Sequence, residues 1–205
     1  MVLRVAPCLT AAAVAGVMML AVAAPQIASA QTPPAAAATG SADNPAAATG
    51  TAEGFAEETT LTAKTIVYVK GSGVWDSAFA TLNGSFKKLK AYVDKEGLKI
   101  DGPLMTIFTQ TDDTGFQFQA AVPIAEAPKT PPHGDIALGQ SPEGRAVKFV
   151  HHGSYDELDN TYEAITNYLD EKRLEAKDMF VEQYETDPTS TDPKKLTVDV
   201  LVLLK

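Results

Sequence analysis

Between Thr65 and Lys205 the chain alternates two kinds of hydrophobic spacing, and the alternation occurs twice. Thr65 to Lys70 (TIVYVK) is a β-branched and aromatic run closed by Gly71-Ser72-Gly73, which predicts a strand. From Trp75 to Val93 the apolar residues Phe79, Leu82, Phe86, Leu89 and Val93 recur at three- and four-residue steps, with lysines on the other side. That spacing predicts a helix with one buried stripe, and Gly97 supplies its stop. Gly102-Pro103 introduces a strand over Leu104 to Gln110, and the turn TDDTG leads to another over Phe116 to Val122. The second pass begins at Arg145. Ala146 to His151 reads as a strand ended by Gly153, followed by a helix with the stripe Leu158, Tyr162, Ile165 and Leu169. Strands over Met179 to Glu185 and Leu196 to Leu204 flank the turn TDPTSTDPKK.

The two passes overlay. Gly73-Val74-Trp75-Asp76 lies on Gly153-Ser154-Tyr155-Asp156, and Tyr92 to Leu98 lies on Tyr168 to Leu174. The offset shrinks from 80 to 76 residues between these matches, about one helical turn, so the second helix should be one turn shorter. The expected fold is α+β, built from duplicated β-α-β-β units with antiparallel sheet, two main helices and a cleft where the halves meet. Half one is placed at 59–126, a link at 127–144 around PKTPPHGD, and half two at 145–205.

The segment before residue 59 has another character. Arg4 is the only charge in the first forty residues, an apolar run covers Ala11 to Ala24, and Pro25 precedes Ala28-Ser29-Ala30. A basic start, an apolar stretch and an Ala-x-Ala site describe a secretory signal peptide over residues 1–30, cut after Ala30. The rival reading is an uncleaved membrane anchor, because Val5 to Ala24 approaches the roughly 20 residues that span a bilayer. Residues 31–58, rich in Ala, Thr, Pro and Gly, read as a flexible tether. Cleavage points to a periplasmic or secreted protein with no membrane segment left. Cys8, the only cysteine, would leave with the signal, and disulfides and thiolate chemistry would go with it.

Without Arg4, 16 basic residues face 26 acidic ones. Such an acidic surface repels phosphate backbones, so nucleic acid is not an expected partner, whereas cationic ligands are attracted. His151 and His152 are adjacent in a predicted strand and so point to opposite faces, which argues against their chelating one metal ion. No metal or cofactor is expected, and Asp112, Asp113, Asp187 and Asp192 fall in turns where Asp bonds its local backbone.

One carboxylate stands apart. In VEQYETDP, side-chain alternation puts Phe180, Glu182 and Tyr184 on one face of a strand. The duplication pairs Glu182 with Thr106 and its flankers with Leu104 and Phe108, so the acid is an addition to one half. A charge in an apolar wall is costly unless paired, and it either takes up a proton or attracts a cation. The alternative is an ordinary solvated residue on an exposed face. Trp75 and Tyr155 open equivalent helices, and with Tyr68, Phe108, Tyr162 and Tyr184 they are the aromatic candidates to line a cleft. For any one of them core packing is the commoner role.

The run FVHHGSYDELDNTYEAITNYLDEKRLEAKDMFVEQYETDP, followed by LTVDVLVLL, resembles the GyrI-like small-molecule-binding domain, the effector-binding domain of AraC-type and multidrug-responsive regulators. The resemblance lies in an aromatic strand leading into His-Gly-x-Tyr, an amphipathic helix with a central aromatic, and Glu-x-Tyr-x-x-Asp-Pro. It implies a GyrI-like, SOUL-like fold whose central cleft takes up small hydrophobic or cationic molecules, with Glu182 in that cleft and Tyr162 and Tyr184 beside it. Some family members are hydrolases of cyclopropane compounds, which would make Glu182 a base or nucleophile assisted by Tyr184 or Tyr162. A helix-turn-helix, usual in the regulators, is replaced here by the signal and tether. Three readings stay open at this point: an exported binder acting as monomer or homodimer, a hydrolase, and a non-catalytic interaction module.

Overall fold

The computed structural model describes residues 55–205. The signal peptide and nearly all of the tether therefore lie outside the described residues. The strands are β1 (Ala56–Leu61), β2 (Thr65–Val74), β3 (Leu104–Thr111), β4 (Gly115–Pro123), β5 (Ile136–Gln140), β6 (Gly144–Gly153), β7 (Ala176–Tyr184) and β8 (Leu196–Leu204). The helices are α1 (Ala78–Glu96) and α2 (Leu158–Lys172), each entered through a 3-10 turn, at Trp75–Ser77 and Tyr155–Glu157. All strands form one antiparallel sheet in the order β1-β6-β8-β7-β3-β4-β2-β5.

The fold is α+β with duplicated halves, as the spacing predicts. α1 has 19 residues and α2 has 15, the one-turn difference read from the offsets. Both helices end in a left-handed residue, Gly97 (φ 64°) and Arg173 (φ 54°), 76 positions apart. Behind each cap the same backbone bond forms, Leu98 N–H to the Val93 carbonyl and Leu174 N–H to the Leu169 carbonyl, both 2.9 Å. Shifting by the same 76 residues lays Leu82, Phe86, Leu89 and Val93, the buried stripe of α1, on Leu158, Tyr162, Ile165 and Leu169 of α2.

Two strands depart from the expectation. β1 begins at Ala56, three residues before the expected start of the domain, and β5 lies inside the expected link 127–144. They are equivalents. Ala56 pairs with Phe149 of β6, and Ile136, 80 residues after Ala56, pairs with Val69 of β2, 80 residues before Phe149. The repeat is therefore β-β-α-β-β, and each half lends its first strand to the outer edge of the other. Both strands are half exposed, and β1 is held partly by ion pairs from Glu57 to Lys148 and Glu58 to Arg145, so neither has the apolar alternation that marks a strand in sequence.

The exchange forces the sheet to curl. β1 and β2 stand six places apart in the strand order, about 29 Å if the sheet were flat at roughly 4.8 Å per step. Only residues 62–64 join them, and four extended steps reach about 14 Å. β5 and β6 are in the same position, joined by 141–143. The two links clasp one another: Lys64 N–H donates to Ser141 Oγ (2.9 Å), and Ser141 N–H donates to the Lys64 carbonyl (2.8 Å).

Curling gives the sheet two buried faces. The larger core lies under the helices and contains Val67, Phe86, Leu89, Phe108, Phe149, Ile165, Val198 and Val200. A smaller one on the other face gathers Ile66, Met105, Ile107, Val181, Leu201 and Leu203. Close approach also shapes the first half, because a Cβ on Gly73 would sit 2.9 Å from the Phe116 ring and 3.4 Å from Thr81.

The paired caps make a test. Arg173→Gly should stabilise the protein by up to about 1 kcal/mol, because a side chain in the left-handed region is strained. Gly97→Arg should cost about the same. Urea midpoints of the two variants moving in the same direction would contradict the equivalence of the caps.

Candidate functional site

β7 carries Glu182 toward the helices, between its strand neighbours Thr106 of β3 and Val200 of β8. The side chain is 1% exposed. Three tyrosines close around it. The Tyr162 hydroxyl, from α2, donates to Oε1 at 2.6 Å, and the Tyr184 hydroxyl, two residues along β7, donates to Oε2 at 2.6 Å. Tyr155, from the 3-10 turn before α2, donates to Oε2 at 3.5 Å. With its proton on Glu182, the Tyr184 oxygen is free to accept from Thr106 Oγ1, 3.5 Å away.

Local sequence explains how these groups meet. β-alternation puts Glu182 and Tyr184 on one face. Tyr162 lies one helical turn beyond Leu158 on the buried side of α2, and Tyr155 is held by the capping box of Ser154 and Glu157. The rings keep partial exposure at Tyr155 and Tyr162 while their hydroxyls turn inward. Burial pushes the Glu182 carboxyl above its ordinary 4.5, and the three tyrosine bonds pull the other way. All three hydroxyls are held well above their ordinary 10.0, first by burial and then by the Glu182 charge, so they stay donors.

A cavity of about 280 Å³ lies beside this cage. Trp75, Tyr162, Ile165, Met179, Phe180 and Val202 give it apolar walls, and Asp159, Glu163 and Lys177 supply its charges. Tyr162 belongs to both places, its ring on the cavity wall and its hydroxyl on Glu182. The ring stands edge-on to Phe180 (5.3 Å), which stacks on Phe108 (4.6 Å).

A model of the GyrI-like small molecule binding domain matches residues 56–205. The chain belongs to the GyrI-like family. No curated protein matches. Among solved structures the chain is similar to EcmrR in a DNA complex, with TM-score 0.62 at 15% identity, 73% of this chain and 57% of that one being covered. It thus spans little more than half of the EcmrR chain. Against the EcmrR C-terminal domain the TM-score is 0.58 at 15% identity, over 73% of this chain and 96% of that one. A hydrolase encoded by lin2189 from Listeria innocua gives 0.53 at 14% identity, over 74% and 92%. SAV2435 bound to tetraphenylphosphonium gives 0.50 at 13% identity, over 73% and 93%. At these identities the shared property is the fold.

Within this GyrI-like domain the sequence candidates separate. Trp75 and Tyr162 line the cavity. Glu182 is not among the lining residues; it sits one side chain behind the wall, with Tyr155 and Tyr184 around it. Phe108 lies deeper, stacked between Phe180 and Trp75. Tyr68 is on the opposite face, against the smaller core, so it cannot share a cleft with the others. A strand buried on both faces gives no period-two signal to tell which side a tyrosine takes. His151 is a satisfied core residue. Its Nε2–H donates to the Ser154 carbonyl (2.9 Å) and its Nδ1 meets Thr161 Oγ1 (2.8 Å), while the exposed His152 meets Thr197 on the other face. Asp112 and Asp187 each accept from the backbone two residues on, as turn aspartates do.

The sequence reading missed Asp159, Glu163 and Met179. A signal was available, because Asp159, Tyr162, Glu163 and Thr166 recur at three- and four-residue steps along one side of α2. It also missed what duplication did to the cage. Tyr155, Tyr162, Tyr184 and Glu182 correspond to Trp75, Phe86, Phe108 and Thr106, so every tyrosine has an aromatic equivalent without a hydroxyl. The GyrI-like domain has one polar cage and one apolar copy of it.

Glu182 titrates above its unfolded value, so its contribution to stability is complete below about 4.5 and is lost as pH rises through the folded value. Glu182→Gln removes that loss. Urea midpoints between about pH 5 and 8 should therefore fall more steeply for wild type than for the variant; parallel curves would show that the carboxyl is not strained by burial.

Proposed function

We propose that this chain is an exported binder of small amphipathic cations, which enter the cavity and draw on the Glu182 charge behind Tyr162. The observation that carries the reading is the buried carboxylate with three hydroxyl donors and, among the described residues, no cationic side chain paired with it, one ring away from an aromatic cavity. An ionised carboxylate at such a depth is short of countercharge, and a cation in the cavity supplies it. Trp75, Tyr162 and Phe180 offer ring surfaces to the same cation, and Asp159 and Glu163 give its approach the right sign. The volume suits a compact molecule, near the lower end of ligand pockets. SAV2435, with which the chain shares its fold, is solved with tetraphenylphosphonium, a lipophilic cation of this kind. Export rests on Arg4, the apolar run Ala11 to Ala24 and the Ala28-Ser29-Ala30 site.

The hydrolase reading is less well supported by the geometry. A base or nucleophile must reach its substrate directly or through one water, whereas both Glu182 oxygens are turned to tyrosine hydroxyls and Tyr162 stands in the way.

Binding should depend on ionisation. Isothermal titration with tetraphenylphosphonium should show affinity rising with pH through the raised Glu182 range, and Glu182→Gln should lower it at least about tenfold at pH 8. Triphenylphosphine oxide, similar in shape but uncharged, should not distinguish wild type from variant. Equal affinity of the cation for both proteins would remove Glu182 from the mechanism. Export has its own check: intact mass of the protein from the extracytoplasmic fraction should fit a chain starting at Gln31, and a mass that retains residues 1–30 would favour the anchor.

A further inference from the structure

We infer that the space between α1 and the β7–β8 turn is a second binding site, pseudo-symmetric to the open cavity, held shut by the turn itself and suited to an anionic amphipathic molecule. The internal symmetry locates it. Tyr162, Ile165 and Thr166 on the open cavity correspond to Phe86, Leu89 and Lys90 of α1, and Asp159 and Glu163 correspond to Asn83 and Lys87. Trp75 corresponds to Tyr155, and Thr111 at the end of β3 to Asp187 just past β7.

What fills the second place is part of the chain. The β3–β4 turn has three residues, 112–114, whereas the β7–β8 turn has eleven, 185–195. The extra length lies against α1. Pro188 is buried, Asn83 Nδ2 donates to its carbonyl at 3.1 Å, and Lys90 pairs with Asp187 and donates to Thr189 Oγ1 at 3.0 Å. Thr111 and Thr166, the equivalents of Asp187 and Lys90, both line the open cavity, so no side-chain bridge spans the one site where Asp187 and Lys90 span the other.

The closing group states the chemistry of the site. Asp187 places a carboxylate on a lysine, next to an apolar wedge, as the head and body of an organic acid would lie. The helices agree with this sign. α1 carries Lys87, Lys88 and Lys90 where α2 carries Glu163, Ala164 and Thr166, and among the described residues Lys87 makes no ion pair.

Two features suit the turn to open. It is organised internally, with Asp187 accepting from Thr189 N–H (2.9 Å) and Oγ1 (2.7 Å), Thr191 N–H donating to the Asp187 carbonyl (2.9 Å) and Lys194 N–H to Asp192 (3.0 Å), so it can leave α1 as a unit. The closed state is also imperfect. Asn83 Oδ1 is buried without a hydrogen-bond partner among the described residues, a penalty that opening to water or ligand relieves.

Decanoate is the probe, titrated by calorimetry into the full mature chain, with decanol as the uncharged control. Asp187→Asn removes the competing carboxylate but keeps the oxygen that accepts from Thr189, so decanoate affinity should rise at least about tenfold over wild type. Adding Lys90→Met should return it to the wild-type level or below. Tetraphenylphosphonium affinity should be the same in all three proteins, and saturating cation should leave decanoate binding intact. The inference is overturned if Asp187→Asn gains no affinity, if decanol gains as much as decanoate, or if the cation displaces decanoate. Should Asp187→Asn lose its circular-dichroism signature of folding, Pro188→Gly, which removes the wedge, carries the same expectations and the same overturning results. Loss of this site with cation binding retained would leave the Glu182 reading standing, and the reverse outcome would leave this one.

Discussion

A carboxylate cannot be taken out of water beneath two helices without partners, and the arrangement of this domain's second half follows from supplying them to Glu182. Each donor comes from a different element: Tyr184 from the same strand, Tyr162 from α2, Tyr155 from the turn that starts α2. Three separately placed hydroxyls must converge within hydrogen-bond reach, which ties the depth and rotation of α2 to the position of β7. Even so, the donors do not offset burial completely, and the carboxyl remains easier to protonate than one in water. The residual imbalance is what makes the place responsive to a positive charge.

The first half shows the same scaffold without that demand. Phe86, in the place of Tyr162, is fully buried and packs edge-on against Tyr184 at 5.2 Å. Trp75, in the place of Tyr155, stacks toward Phe108 and Phe116 and sends its indole N–H to the Asp112 carbonyl at 2.8 Å. Thr106 needs only one neighbour for its hydroxyl. At Phe86 and Phe108 the change from one half to the other amounts to adding a hydroxyl to an aromatic ring. The cluster's packing survives it because Tyr and Phe have nearly the same shape.

Much of this was legible in the sequence, and the parts that were not have identifiable causes. The one-turn difference between the helices and the stop at Gly97 could be read because buried stripes and a glycine leave strong local marks, whereas an arginine in the left-handed region, as at Arg173, leaves none. Glu182 stood out because the repeat supplied Thr106 for comparison. β1 and β5 could not be read, since AEETTL and IALGQ are half-exposed edge segments whose pairing is fixed by strands far away in sequence. The side of the sheet taken by Tyr68 was equally hidden, because the curl that buries both faces is imposed by those same two strands. The cavity wall was overlooked because Asp159, Glu163 and Thr166 read as an ordinary polar helix face, which carries no mark of a cavity beside it.

The strand pairing at the centre of the sheet has one more implication. Thr106 and Glu182 occupy equivalent places in the two halves and are also direct partners across β3 and β7, so the internal axis passes between them. Two separate identical subunits built this way would bring the same residue against itself. An acid there would meet a second acid at the distance of adjacent strands, and the two could not both be ionised. Joining the halves in one chain removes that obstacle, because one side can keep a neutral hydroxyl while the other becomes charged. A tandem chain can therefore set one carboxylate beside a neutral hydroxyl on that axis, where a symmetric pair would have to set two carboxyls sharing a proton.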